Sequence, residues 1–203
     1  MVSNPSMPAW FALVALTAML LGAAMPSPAS AEMQRWVVDS TKSRVWFDAF
    51  HSFGNFTGTS EVPVGEIEAD VADLKQPMKG SVTVAATSFK TGKKGRDKDL
   101  WRALDAEHHA EIRYRIERVE SSFPTLSENT DVLLTIHGVL SMRGVERPLT
   151  FMGRLRQRQG SLWVRGENRL SISDFGVPPL RNWLLSMQDS VLASFDLLLS
   201  KNE

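Results

Sequence analysis

The chain has 203 residues and no cysteine, and its 23 basic residues are balanced by 23 acidic ones. A net charge of zero excludes the broad positive field typical of nucleic-acid-binding proteins. The lack of cysteine excludes thiolate metal sites and thiol nucleophiles.

The first segment of the chain predicts export. Residues 10–25 are almost wholly apolar, and Pro26 and Pro28 follow them. Ala29-Ser30-Ala31 then gives the small-x-small pattern that signal peptidases read. The apolar run is shorter than the ~20 residues that cross a bilayer, so we predict a signal peptide over residues 1–31, cleaved after Ala31. It has no Lys or Arg in its n-region, and an uncleaved membrane anchor is the alternative.

Apolar and polar residues alternate through most of residues 32–203, which are long enough for one ordinary domain. This period of two predicts strands with one buried and one solvated face, as in antiparallel sheets. In chain order the pattern covers residues 36–38, 44–49, 65–68, 81–86, 112–117, 132–142, 149–155, 162–169 and 191–199. Closing into a barrel removes the free edges of so many strands, so we predict an all-β antiparallel barrel of about eight strands.

One interruption has a helical pattern. Residues 96–106 place Leu100, Trp101 and Leu104 at i, i+1, i+4 spacing among charges, which predicts a short amphipathic helix. Asp97 in its first turn favours the helix dipole, and Arg96 is expected to pair with Asp97 or with the barrel wall. We expect this helix to close one barrel end, and we expect a further turn at residues 182–187.

Several motifs follow one another in a recognisable order. WVVDSTKSRVWFDAFH opens the mature chain, GSVTVAATSFKTG precedes Arg96-Asp97, and LDAEHHAEIRY, GVLSMRGVERPLTF and SDFGV follow. This order resembles the YceI-like family, exported lipocalin-like barrels that bind polyisoprenoid lipids. The resemblance implies a lipocalin-like barrel with one short helix at a barrel end. Ile172 and Ala110 depart from the family pattern, which often has Arg and Pro at these positions.

The inward-facing residues are nearly all apolar, which suits a dry core or an apolar ligand and suits hydrolytic chemistry poorly. The resemblance, rather than the periodicity, implies a cavity that holds a lipid tail, with the head group near His51 and Arg96-Asp97. The predicted ligand-binding residues are Val45, Phe47, Ala49, His51, Val84, Phe89, Trp101, Leu104, Tyr114, Ile116, Leu134, Ile136, Leu140, Phe151, Val164, Phe175 and Phe195.

The predicted function is periplasmic binding or transport of a long-chain isoprenoid, polyprenol or quinone-like, or of a similar amphiphilic lipid. We expect no catalytic residue, metal, cofactor or nucleic-acid partner, and any membrane contact to be peripheral. Two alternatives stay open: a stress or adaptor protein whose barrel is filled by its own side chains, and a periplasmic hydrolase. His51 has a structural alternative as a side chain that bonds local backbone.

His108-His109 and the Asp-Phe-Gly sequence at residues 174–176 are each better explained structurally. Adjacent histidines diverge in an extended segment, whereas a zinc site needs three or more converging ligands. Asp-Phe-Gly indicates a kinase only together with the other kinase motifs, which this sequence lacks. We therefore expect a strand that ends in a tight turn, with Asp174 bonding backbone and Phe175 packing inward.

Overall fold

The computed structural model describes residues 32–51, 54–177 and 187–201, so the predicted leader and most of the predicted turn at residues 182–187 lie outside it. Within the described residues there are ten strands, one α-helix and two short 3₁₀ turns. The strands are β1 (Gln34–Val38), β2 (Arg44–His51), β3 (Gly54–Ser60), β4 (Val64–Ala69), β5 (Lys79–Ala85), β6 (Glu111–Ser121), β7 (Asp131–Met142), β8 (Val145–Arg158), β9 (Ser161–Ser171) and β10 (Met187–Lys201). The helix, α1, spans Lys94–Ala103, and the 3₁₀ turns span Ala86–Ser88 and Ile172–Phe175.

The sheet is antiparallel and closes on itself. Its strand order is β1-β4-β5-β6-β7-β8-β9-β10-β2-β3, and β1 also pairs with β10. Eight strands therefore form a closed circuit, while the β2–β3 hairpin continues the wall beside β10. This confirms the predicted antiparallel barrel of about eight strands with one short helix.

The closure depends on β10, whose one edge serves two different strands. Residues 199–201 of β10 pair with β1, whereas residues 187–196 pair with β2. Between these two ladders the side chain of Ser43 takes the place of a strand. Its buried hydroxyl accepts a hydrogen bond from the Leu198 amide at 2.9 Å, and the Asp39 amide donates to the Leu198 carbonyl at 2.8 Å. The backbone of β10 is therefore satisfied across the break between β1 and β2.

The two barrel ends are built differently. The lower end carries residues 70–78 and 122–130, which are joined by a 2.7 Å hydrogen bond from the Leu74 amide to the Pro124 carbonyl. Trp36, Leu74, Val132 and Leu199 are almost fully buried there and fill the barrel. The upper end carries α1, the β7–β8 turn and the Ile172–Phe175 turn. The lower end is therefore a solid core, and any internal space lies above it.

Two tight turns fix the register of β7, β8 and β9. Arg143 and Gly144 join β7 to β8 with φ of 55° and 74°, and Gln159 and Gly160 join β8 to β9 with φ of 51° and 74°. Two-residue loops with positive φ at both positions match the twist of the flanking strands. Because register decides which face each side chain takes, these turns direct the apolar phase of all three strands into the barrel.

Two local predictions differ from the structure. The helix begins two residues earlier and ends three residues earlier than the predicted residues 96–106, because residues 104–108 form turns, with Asp105 at a φ of 52°. β9 ends at Ser171 and a tight 3₁₀ turn follows it, as expected, but Asp174 lies exposed in that turn. The carboxylate that bonds backbone there is Asp189, which accepts from the Ser173 amide at 2.9 Å. Phe175 is buried, as expected.

No helix among the described residues combines the length and the apolar character needed to cross a bilayer.

Replacing Ser43 by alanine should lower the free energy of unfolding by about 1–3 kcal/mol, because the buried Leu198 amide loses its acceptor. Urea denaturation followed by circular dichroism measures this as a lower midpoint with an unchanged slope. Thr41→Ala is the matched control, since Thr41 bonds Asp39 on the exposed side of the same break. Equal midpoints for both variants would show that Ser43 does not support the closure.

Candidate functional site

A cavity of about 220 Å³ lies inside the barrel above the packed lower core. Nearly all of its wall is aliphatic or aromatic. The described residues that line it are Val45, Trp46, Phe47, Phe56, Ile67, Val82, Val84, Phe89, Leu100, Ala103, Leu104, Ile112, Tyr114, Ile116, Ile136, Leu140, Met142, Phe151, Val164, Leu170, Ile172, Val177, Val191, Ala193, Ser194, Phe195 and Leu197. Such a wall offers burial to an apolar molecule and few hydrogen bonds to a polar one.

Aromatic rings lie over glycines on neighbouring strands, and this keeps them against the wall. Phe195 is the cross-strand partner of Gly166, and a Cβ on that glycine would lie 2.6 Å from the Phe195 ring. Phe47 covers its partner Gly58 in the same way. Because these glycines have no side chain, the rings occupy the space beside the strand rather than the centre of the barrel.

Edge-to-face contacts hold the rings in place across the cavity. Phe151 packs against Tyr114 and Phe195, with centroid distances of 5.1 and 5.2 Å and interplanar angles of 85° and 76°. On β2, which pairs with β10, Phe47 contacts Phe56 edge-to-face at 6.0 Å and Phe89 in a tilted arrangement at 5.7 Å. Edge-to-face pairs at these distances are favourable beyond the area they bury. The cavity wall is therefore preformed.

Tyr114 is the one titratable side chain among the described residues that line the cavity. Its hydroxyl lies 2.9 Å from the carbonyl oxygens of both Ile136 and Leu149, to which it donates its proton. Burial raises the pKa of Tyr114 well above its usual value. The phenol is therefore uncharged at neutral pH, and its proton is already used in hydrogen bonds to the barrel backbone.

Asp97 fixes the loop that leads into α1 at the upper end. Its carboxylate is buried and accepts from the Thr91 amide at 2.7 Å and from the Thr91 hydroxyl at 2.6 Å. These hydrogen bonds hold the pKa of Asp97 below its ordinary value. Arg96 turns instead to the barrel wall, with its guanidinium 4.4 Å from the Phe56 ring centroid and donating to the Thr91 carbonyl at 2.6 Å. Of the two partners expected for Arg96, Asp97 and the barrel wall, the structure shows the barrel wall.

The structure brings together most of the predicted ligand-binding residues. The following border the cavity: Val45, Phe47, Val84, Phe89, Leu104, Tyr114, Ile116, Ile136, Leu140, Phe151, Val164 and Phe195. They come from different strands and from the upper end, so their convergence follows from barrel closure. Their role in binding a ligand stays a prediction.

Four predicted residues lie away from the cavity wall. Leu134 faces inward but belongs to the packed core, and Ala49 is buried against Phe56 and Val191. Phe175 packs under the upper end beside Leu104 and Met142.

Trp101 is the fourth, because its indole N–H donates to the Phe89 carbonyl at 3.1 Å while Lys90 covers its ring. His51 ends β2, and its side chain lies outside the described residues.

The predicted site omitted cavity residues of two kinds. Some lie in inward phases that the alternation already marks, and the sequence signal for them was present: Ile67, Val82, Ile112, Met142, Leu170, Val191, Ala193 and Leu197. Others depend on how the upper end packs or on the local wall: Trp46, Phe56, Leu100, Ala103, Ile172, Val177 and Ser194.

The two adjacent histidines bind one carboxylate outside the cavity. His108 Nδ1 lies 2.7 Å from Asp105 Oδ1, and His109 Nε2 lies 3.8 Å from Asp105 Oδ2. This contact raises the pKa of His108 and lowers the pKa of Asp105. Within the described part of the chain, no three or more His, Asp or Glu side chains are grouped as metal ligands would be.

A family model of the YceI-like domain matches residues 36–198, which span the barrel from β1 to β10. The chain belongs to the YceI-like domain family. A comparison with curated protein sequences gave no match.

Solved structures share this fold at low sequence identity. Burkholderia cenocepacia BcnA matches with a TM-score of 0.68 at 18% identity, over 79% of this chain and 98% of its own. A polyisoprenoid-binding domain from Saccharophagus degradans, implicated in plant cell wall breakdown, matches with a TM-score of 0.67 at 14% identity, over 84% and 100%. Campylobacter jejuni YceI protein matches with a TM-score of 0.59 at 15% identity, over 72% and 84%. At such identities the likeness shows the shared barrel.

Tyr114 is the only tyrosine in this YceI-like chain, so its titration is read directly from the phenolate absorbance near 295 nm. We expect little phenolate signal at about pH 10, where a solvated tyrosine is half ionised. Since the folded-state pKa is raised, this group stabilises the fold below its unfolded pKa, and the contribution is lost as pH rises through the folded pKa. The protein in urea should titrate normally, and Tyr114→Phe should remove the signal. A normal titration in the folded protein would contradict the burial.

Proposed function

We propose that the mature protein binds a long-chain isoprenoid, or a similar amphiphilic lipid, in the barrel cavity and does so in the periplasm. The observation that carries this proposal is the apolar cavity inside the barrel, with its preformed aromatic wall. A barrel filled by its own side chains would have no such space. The hydrolase alternative needs two or more titratable groups that converge in the pocket, and the described cavity wall supplies one buried phenol.

Burial alone supplies the driving force for such a ligand. At ~0.8 kcal/mol per buried methylene, each five-carbon isoprene unit gains about 4 kcal/mol on leaving water. Part of this gain is lost to the ordering of the chain and to association. A tail of several units is therefore held firmly without any catalytic group and with few polar contacts.

The size and shape of the cavity favour a slender ligand. Its volume of about 220 Å³ is smaller than the ~300–1,000 Å³ typical of pockets that enclose a drug-sized molecule. Its wall runs from Ile67 and Leu197 up to Leu100 and Val177 beside α1. A branched hydrocarbon chain along the barrel axis fits this shape better than a bulky ring system, and a long chain must extend beyond the cavity.

Two further features support the proposal. A structural relative with the same barrel is described as a polyisoprenoid-binding domain. The predicted signal peptide would deliver the protein to the cell envelope, where membrane lipids are available.

Filling the cavity should reduce lipid binding. Ala193 lines the cavity opposite Phe47, so Ala193→Phe places a second ring in the same space. We expect geranylgeraniol affinity to fall about tenfold or more, with a stability cost of about 1–3 kcal/mol from overpacking. Leu192→Phe, one residue along β10 on the other face, should bind as well as the unchanged protein. Tryptophan fluorescence titration and native mass spectrometry give the affinity and the stoichiometry.

Gly166→Ala gives a second, milder variant should Ala193→Phe fold poorly. Its Cβ would push the Phe195 ring toward the cavity, so it should weaken binding in the same direction. If folded protein, stripped of lipid, binds neither geranylgeraniol nor a longer polyprenol, the proposed function is wrong.

Expression of the full chain in a Gram-negative host should yield a periplasmic protein that begins at Glu32. Intact-mass measurement of the osmotic-shock fraction tests this directly. Ala31→Asp places a charged residue at the cleavage position and should leave a longer, membrane-associated form. A soluble cytoplasmic protein that retains residues 1–31 would contradict the predicted export.

A further inference from the structure

The barrel wall has a gap beside the upper half of β3. β5 ends at Ala85, where the chain turns away toward α1. Among the described residues, β3 meets this segment through a single bridge between Thr59 and Lys90, with both N–H···O distances at 2.9 Å. Above that bridge, Gly54 to Gly58 of β3 pair on their outer edge with no strand of the described part of the chain. The wall there is not a continuous hydrogen-bonded ladder.

Side chains rather than backbone close this gap. Phe56 from β3, Phe89 beside the bridge and Leu100 from α1 all border the cavity. Phe47 packs against both of these phenylalanines from β2. Parting these side chains breaks contacts between apolar groups, whereas parting two paired strands of the barrel breaks several backbone hydrogen bonds at once.

Arg96 lies over the gap. Its guanidinium is stacked on Phe56 and tied to the Thr91 carbonyl, as described above. Its Nε is buried and has no hydrogen-bond partner among the described residues. A buried N–H without an acceptor is costly, and such groups are rare in folded proteins. Because Arg96 stacks on Phe56, which lines the cavity, this atom belongs to a side chain that covers the gap.

We propose that this gap is a side entrance to the cavity, that the stacking of Arg96 on Phe56 closes it, and that Arg96 Nε donates a hydrogen bond to an oxygen at the polar end of the ligand. The inference rests on the proposed function and adds the route and the polar contact. The ligand class is an apolar chain that ends in a hydroxyl, carbonyl or other acceptor oxygen.

The upper end of the barrel is the competing route, and its packing argues against it. Leu104, Met142 and Phe175 form a buried cluster there with Leu140 and Ala86. Asp97 anchors the start of α1 through Thr91, so displacing the helix breaks buried, charge-assisted hydrogen bonds. Opening the side gap rotates the neighbouring rings, breaks the hydrogen bond from Arg96 to the Thr91 carbonyl, and parts the single Thr59–Lys90 bridge.

A disulfide across the bridge tests the entrance. Thr59 and Lys90 exchange both backbone hydrogen bonds, and the Cα atoms of such antiparallel pairs are about 5.5 Å apart, within the range that a disulfide spans. Thr59→Cys/Lys90→Cys forms this disulfide without competition, because the chain has no other cysteine. Thr135→Cys/Met152→Cys, an outward pair on β7 and β8, is the matched control.

The readout is the rate at which geranylgeraniol leaves the protein for phosphatidylcholine vesicles. The oxidised Thr59–Lys90 variant should release geranylgeraniol at least about tenfold more slowly, as expected when an opening motion limits the rate. Reduction should restore the rate, and the control should not differ between its two redox states. An unchanged rate in the fully cross-linked variant overturns the side entrance while the proposed function stands. Failure of the unchanged protein to bind both geranylgeraniol and a longer polyprenol is a failure of the proposed function itself.

Substitution of Arg96 tests the polar contact separately. Arg96→Lys keeps the positive charge and removes Nε, so affinity for geranylgeraniol should fall about threefold to tenfold. Affinity for the corresponding hydrocarbon, which lacks the hydroxyl, should stay unchanged. Arg96→Gln also loses the stacking, and exchange should accelerate about twofold to thirtyfold. Arg102→Gln, an exposed position on the same helix, is the control.

Equal losses for alcohol and hydrocarbon in Arg96→Lys would overturn the hydrogen bond. Unchanged exchange in a folded Arg96→Gln protein, checked by its melting temperature, would overturn the closing role of Arg96.

Discussion

The barrel depends on the way one long strand closes it. β10 pairs with β9 along one edge, and along the other edge it pairs with β1 and then with β2. The change of partner leaves a short stretch of β10 without a ladder, and the Ser43 hydroxyl satisfies it. Because β1 and β2 are offset in this way, their neighbours β4 and β3 are offset too. β5 follows β4 and ends before it reaches the upper part of β3, so the closure itself produces the gap in the wall.

The cavity exists because small residues stand next to large ones inside the wall. Glycine at 58 and at 166 gives the rings of Phe47 and Phe195 a place beside the strand. With larger residues at these positions, the rings would turn toward the axis and the barrel would fill, as its lower end does around Trp36 and Leu74. A filled barrel would be the more stable outcome by close-packing arguments, since empty apolar space costs free energy. The retained space therefore agrees with the ligand site that we propose.

Much of the fold was predictable from the sequence because the period of two is a direct consequence of strand geometry. The same alternation marked the inward faces from which most of the cavity is built. The depth at which each inward-facing residue lies along the barrel axis was not predictable, since it depends on strand register and barrel closure rather than on any one strand. Leu134 and Ile136 have the same phase on β7, yet Leu134 is confined to the lower core and Ile136 also borders the cavity. The side chain of Arg96 had two expected partners, and only the packing of α1 against Phe56 decides between them.

The asymmetry of the two ends constrains how the proposed ligand would lie in the barrel. Two features close the lower end: the hydrogen bond that joins the two lower loops, and the packed core above them. A chain longer than the cavity must therefore rest its apolar tip on that core and leave by the upper half. The packed cluster under Phe175 and the anchored start of α1 close the top, which leaves the side-chain wall between β3 and Phe89 as the weakest barrier. A lipid whose polar end emerges there keeps its tail dry and its head near solvent, and Arg96 is the charged residue stacked on that wall.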